Sequence, residues 1–235
     1  MEIRIAVAKI RKYATRTSGD TVEIVERPNG GVSVVMADGQ SSGKGAKWVS
    51  SFVVRKVISL LADGVRDGAA ARAASDALYT ERGGKVSSTL NLLSADLQTK
   101  TLVITRNNPA PVLLALNDEI RSLDEKCLPV GLYRGTRPSI AEVDLQVGLT
   151  VVMYTDGITH AGKRIGETMD AVLCLRSLLE DYNPPPQEIA DALLEQAIRL
   201  DQGRPSDDTS VVVLRVTDAE GDLIRRMSVR LPLEL

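Results

Sequence analysis

The sequence predicts an α+β fold: a β-sandwich of two mainly antiparallel sheets flanked by helix pairs, in an α-β-β-α arrangement. Three observations predict it. Short β-branched runs cluster too closely for strand–helix–strand crossovers. Two stretches with helical periodicity each hold a pair of helices. No Pro/Gly/Ser-rich stretch or charge run divides the 235 residues, so one domain over residues 1–235 is expected.

The elements follow in order. Residues 2–10 and 21–27 alternate with period two, and Pro28-Asn29-Gly30-Gly31 reads as a turn. Val32 to Ala37 is short and β-branched, as a buried strand would be. From Ala46 to Leu61 the apolar residues recur at helical spacing, with Trp48 on the core side and Asp63-Gly64 as the stop. An Ala-rich helix is expected over about 67–80, ended by Gly83-Gly84. Strands over about 86–95, 101–106 and 111–116 are expected to form an antiparallel meander. A further pair, about 139–145 and 149–154, leads to Thr155-Asp156-Gly157. Helices over about 166–181 and 186–200 flank Asn183-Pro184-Pro185-Pro186. Val211 to Val216 is a strong strand, and 222–231 is read as one more, exposed near the terminus.

Composition excludes several function classes. A net charge of −2 gives no electrostatic reason for a nucleic-acid or anionic-membrane partner, and 3% aromatic content argues against a base-stacking surface. No segment has the roughly 18–20 consecutive apolar residues of a membrane span. The first nine residues alternate like a strand rather than forming a signal peptide's apolar core. Two cysteines, Cys127 and Cys174, imply no disulfide framework, so a reducing cytoplasm is expected. His160 is the sole histidine, which excludes a multi-histidine zinc site. Neither cysteine has an arginine six residues on, so the cradle of cysteine phosphatases is absent.

Four acidic positions share a context. Asp20 lies in Ser18-Gly19-Asp20, Asp38 ends one apolar run, Asp156 ends another, and Asp207-Asp208 precede a third. A carboxylate where a buried strand emerges is fixed on a rigid element, and a following glycine lets backbone or ligand approach. If such ends converge, they form an all-oxygen cage suited to Mg²⁺ or Mn²⁺ rather than Zn²⁺. Taken singly, each Asp is an ordinary turn residue, and spacing alone does not show that they meet.

Together, Ser18-Gly19-Asp20, Ala37 to Ala46, Leu128-Pro129-Val130-Gly131, Tyr154 to Ile158 and Asp207-Asp208-Thr209-Ser210 resemble the PPM family of metal-dependent protein phosphatases. The similarity is to the bacterial SpoIIE-like branch, including the small RsbX type, and covers about residues 15–216. It implies a two-metal centre, holding Mn²⁺ or Mg²⁺, at one end of the sandwich. Asp38 would bridge both ions, the Gly39 carbonyl would bind one, and Asp156 and Asp207 would hold the other. Asp20 would orient the attacking water. Two ions about 3.5–4 Å apart activate water and clamp phosphoryl oxygens, so no covalent enzyme intermediate is required. The resemblance also implies a substrate: phosphoserine or phosphothreonine on an anti-sigma-antagonist (STAS) domain of a bacterial partner-switching or stress-response system.

The chain departs from the pattern at three places. Gln40 stands where many relatives outside the branch carry histidine, and glutamine donates no proton at useful pH. Thr105 to Pro111 lacks the usual Gly-His pair, and His160 replaces a frequent Glu. His160 itself is read as lying in a solvent-facing loop, with a role near the metals as the alternative, from its closeness to Asp156. The rival enzyme reading is a serine hydrolase, since Gly39-Gln40-Ser41-Ser42-Gly43 matches G-x-S-x-G, with His160 as its base. About 75 residues follow His160 and no HGGG-type segment is present, both against that fold's order. Gly39 to Lys44 is one residue short of a phosphate loop. A non-catalytic regulatory module of the same fold is the third class. Oligomeric state is not legible.

Overall fold

The run from Thr209 to Thr217 is buried on both faces, because each face packs against a different core. Val211 and Val213 enter one core while Val212, Leu214 and Val216 enter another, as a period-two strand between two layers requires. In this computed structural model, which describes residues 1–219 and 221–232, that strand belongs to the first of two five-stranded sheets.

The strands are β1 (Glu2–Ile10), β2 (Asp20–Glu26), β3 (Val32–Gly39), β4 (Ser88–Asp96), β5 (Thr101–Asn107), β6 (Val112–Leu116), β7 (Glu119–Leu123), β8 (Ser139–Asp144), β9 (Thr150–Tyr154) and β10 (Thr209–Thr217). The first sheet runs β1-β10-β9-β6-β7 and the second β2-β3-β4-β5-β8, antiparallel throughout. Helices α1 (Gly43–Ala62) and α2 (Asp67–Arg82) cover the second sheet; α4 (Ala171–Asp181) and α5 (Pro186–Leu200) cover the first. Between α3 (Asp156–His160) and α4 lies a single 3₁₀ turn, Lys163–Ile165. This is the α-β-β-α sandwich that the sequence predicts.

Each layer follows from its side chains. On α1, Ala46, Val49, Val53, Val57 and Leu61 recur at three and four residues and bury against Val35, Ala37, Leu90 and Leu92. On α2 the small Ala70, Ala71 and Ala74 bring the helix close to α1 and the sheet, and Gly83 ends it at φ 60. Between the sheets, Val34, Met36, Leu93, Ile104, Val151 and Met153 join the β10 residues in the middle core. Trp48 is only partly buried; it stacks on Phe52 at 5.2 Å and lies beneath Arg82.

Four expectations are corrected. β4 and β5 pair, but β6 leaves for the other sheet, so there is no three-stranded meander. Asn108 and Pro109 break the ladder, and the Asn108 amide donates to the Tyr154 carbonyl of the first sheet at 3.3 Å. β8 and β9 likewise lie in different sheets. Their connection is tied at Leu145 to Lys100 beside the second sheet and at Gly148 to Val216 of the first. The helix expected from 166 begins at Ala171, where the Asp170 carboxylate caps the Leu173 N–H at 2.9 Å. Residues 222–231 form no strand; contacts there come from side chains, with Arg225 donating to the Gly30 carbonyl at 2.9 Å. One strand, β7, is additional: Asn117 and Asp118, at φ 50 and 63, turn β6 back on itself as a two-residue hairpin.

Candidate metal centre

Antiparallel pairing brings the acidic positions together. Asp20 opens β2 and Asp38 lies near the end of β3, directly opposite it in register. In the other sheet, β9 ends at Tyr154, paired with Val211 near the start of β10. Asp156 and Asp207 therefore leave adjacent strands at the same end. Asp156 does not terminate the strand, as its sequence context suggested. The strand stops two residues earlier, at Tyr154, and Asp156 begins the one-turn helix α3.

Asp20 joins the two sheets. Its carboxylate is fully buried and its Oδ2 accepts from Thr155 Oγ1 at 3.0 Å and Ser210 Oγ at 2.6 Å. Thr155 Oγ1 in turn accepts from the Ser210 N–H at 2.9 Å. Burial pushes the Asp20 carboxyl up to about 6, against the pull of the Ser210 and Thr155 hydrogen bonds. Its Oδ1 is buried with no hydrogen-bond partner among the described residues. On the far side, the Lys9 and Lys47 ammonium groups donate to the Asp20 carbonyl at 3.1 and 2.9 Å.

Asp38 stands where negative charge is densest. Burial comes first, followed by the charges of Asp20, Asp156 and Asp207; together they push its carboxyl up to about 9. Asp207 is raised by burial and by Asp156. Asp208 points away: its Oδ1 accepts from the Lys12 N–H at 2.9 Å and its Oδ2 from the Gly19 N–H at 2.8 Å. The adjacent pair is thus divided, one carboxylate toward the cluster and one into the β1–β2 loop.

The β3–α1 loop is held tightly. A Cβ on Gly39 would lie 2.0 Å from the Ala46 carbonyl oxygen, so only glycine lets α1 pack there. Ser88 Oγ donates to the Asp38 carbonyl at 2.7 Å. Gln40 takes a bracing role: its N–H donates to Ser87 O at 2.9 Å, and its Oε1 accepts from Ser87 N–H at 2.9 Å. Ser41, the rival nucleophile, sits in the loop at φ 83.

His160 does not lie in a detached loop. It ends α3, four residues after Asp156, with Nδ1 3.7 Å from Asp156 Oδ2. One ligand atom each from Asp156, His160 and Asp207 falls within 4.8 Å of the others. The sequence, through the closeness of His160 to Asp156, offered a place near the metals only as the alternative to a solvent-facing loop; the roles of Thr155, Ser210 and Ser88 it did not offer. Thr155 and Ser210 were signalled only by their place inside the acidic motifs, and Ser88 by nothing in the sequence.

The residues present suit divalent cations. Hard carboxylate oxygens converge, Asp20 keeps an unpartnered buried oxygen, and the repulsion that raises Asp38 is what a cation would relieve. No helix among the described residues is long and apolar enough to cross a membrane.

The family model for Stage II sporulation protein E (SpoIIE) matches residues 28–217. Stage II sporulation protein E of Bacillus subtilis (strain 168) is 26% identical over 214 residues, covering 91% of this chain. The chain spans 26% of that relative's length. A structure of the PP2C phosphatase domain of B. subtilis SpoIIE, with a fragment of its regulatory domain, matches with a TM-score of 0.81 at 24% identity. That match covers 94% of this chain and 64% of the other. The catalytic domain of the serine/threonine phosphatase PstP, in complex with two manganese ions, matches with a TM-score of 0.71 at 18% identity. Coverage there is 92% of this chain and 99% of the other.

Proposed function

The chain belongs to the SpoIIE family, and from that premise we propose that it is a protein serine/threonine phosphatase using two Mn²⁺ or Mg²⁺ ions. One observation carries the proposal: Asp20, Asp38, Asp156 and Asp207, far apart in sequence, share one end of the sandwich.

By the family resemblance Asp38 would hold both ions, and with the charges of Asp20, Asp156 and Asp207 around it, it is the carboxylate that a cation would relieve most. The Gly39 carbonyl would join it on one ion, and Asp156 and Asp207 would hold the other. When bound, the ions supply Lewis acidity, which activates water and offsets charge on the phosphoryl group. The protein supplies position. Thr155 and Ser210 fix Asp20 through Oδ2, leaving Oδ1 to accept a hydrogen bond from the attacking water. Ser87 and Ser88 brace the loop through Asp38 and Gln40. Gln40 is committed to that bracing and is no acid, so the leaving oxygen takes its proton from water or from another group.

Asp156 and His160 have side chains 37% and 40% exposed, so the centre opens to solvent and suits a phosphorylated side chain on a folded partner. A groove of ≈ 690 Å³ beside the loop, lined by Gln40, Ser41, Ala46, Val49 and Val86, offers further contact area. The substrate proposed is a phosphoserine or phosphothreonine on a STAS-type anti-sigma antagonist, as the family resemblance implies. The test compares a phosphorylated STAS-domain protein with p-nitrophenyl phosphate. The protein substrate should win in kcat/KM by about a hundredfold or more, since the small ester lacks remote binding energy. Equal or slower turnover of the phosphoprotein would remove the STAS assignment.

A further inference from the structure

We infer that His160 is a ligand of the ion held by Asp156 and Asp207, and that its nitrogen biases that position toward Mn²⁺ over Mg²⁺. The inference rests on the metal-centre reading above, to which it adds a donor and a metal preference.

The placement of His160 is built in. Asp156 and His160 are separated by four residues on α3, which sets both side chains on one face of the helix. The helix is pressed against the segment that carries Asp207. A Cβ on Gly157 would lie 2.3 Å from Thr209 Oγ1 and 2.4 Å from the Asp208 carbonyl oxygen, and Ile158 is fully buried in the core beneath. The backbone thus fixes where His160 stands relative to both carboxylates.

The spacing suits coordination. Bonds of roughly 2.1 Å place neighbouring donors of one ion about 3 Å apart and opposed donors about 4.2 Å apart. The Asp156–His160 separation of 3.7 Å lies between these limits, and all three donors fall within 4.8 Å of one another. Donors standing wider than the larger limit would close onto the ion when it binds.

Donor chemistry then sets the preference. Mg²⁺ favours oxygen and dehydrates reluctantly; Mn²⁺ also takes oxygen, but as a first-row transition ion it accepts an imidazole nitrogen more readily than Mg²⁺ does. Two carboxylates alone discriminate little between Mg²⁺ and Mn²⁺; two carboxylates and an imidazole favour Mn²⁺.

Pulsed EPR on the full chain loaded with Mn²⁺ alone tests this. Because the chain has one histidine, selective ¹⁵N-histidine labelling reports His160 without ambiguity. The expected result is ¹⁴N coupling to Mn²⁺ that changes to ¹⁵N on labelling and disappears in His160→Glu. Calorimetry of His160→Glu should show the Mn²⁺-to-Mg²⁺ affinity ratio reduced on the order of tenfold or more. Mn²⁺ that binds wild type but not Asp38→Asn, with no histidine coupling, overturns the inference and leaves the metal centre standing. No Mn²⁺ binding at all overturns both.

Discussion

Asp20 and Asp38 face each other across the β2–β3 pair, and burial raises both carboxyls above their ordinary value of 3.8, to about 6 and about 9. In each case the folded-state pKa is the higher one. Their favourable contribution to folding is therefore complete below about pH 4 and is lost as pH rises through those two values.

Metal-free protein should accordingly gain stability from Asp38→Asn, and the gain should widen between about pH 4 and pH 9. Saturating Mn²⁺ should reverse the ranking, because the ion binds only the folded wild type. Urea unfolding across that range, with and without Mn²⁺, checks both statements. A gap that stays constant with pH contradicts the crowded-carboxylate picture.

Asp207 and Asp208 should separate cleanly. Asp208→Ala removes the acceptor of the Lys12 and Gly19 N–H groups and should cost about 2–4 kcal/mol of stability. Asp207→Asn should fold as well as wild type yet bind Mn²⁺ poorly. Unfolding and calorimetry on the two variants decide this, and equal effects on metal affinity would refute the division of roles.

Ser41 is strained at φ 83, a conformation that favours glycine. Ser41→Gly should stabilise the protein by about 0.5–1 kcal/mol, and Ser41→Ala should keep substantial phosphatase activity. Abolished turnover in Ser41→Ala, with Mn²⁺ binding intact, would revive the serine mechanism.

Much of the molecule was legible because its signals are local. The apolar runs of β3, β9 and β10, the stripe on α1 and the bounds of α5 stand out in the sequence. Strand pairing did not, because Asn108 and Gly148 move the chain between sheets through contacts with residues distant in sequence. The acidic positions could be picked out by their strand ends, but their convergence depends on register. His160 was ranked first as a loop residue because the one-turn helix that sets it on one face with Asp156, four residues before it, is hidden by the strand pattern. The hydroxyls of Thr155 and Ser210 matter only through Asp20, 135 and 190 residues away.

Gly39→Ala should be severely destabilising, because its Cβ would lie 2.0 Å from the Ala46 carbonyl oxygen. A loss of about 3 kcal/mol is expected, together with weakened Mn²⁺ binding, as α1 is forced off the loop. A stable Gly39→Ala protein with unchanged Mn²⁺ affinity would mean that the loop is less constrained than its packing indicates.

The most direct test of the metal-phosphatase account is phosphate release from a phosphoserine- or phosphothreonine-bearing protein by chelator-stripped enzyme, with Mn²⁺ or Mg²⁺ then restored. The account predicts no release from stripped protein, recovery on adding the ion, and no recovery in Asp38→Asn. Turnover that persists in chelator, or that Asp38→Asn retains at near wild-type rate while correctly folded, would contradict it.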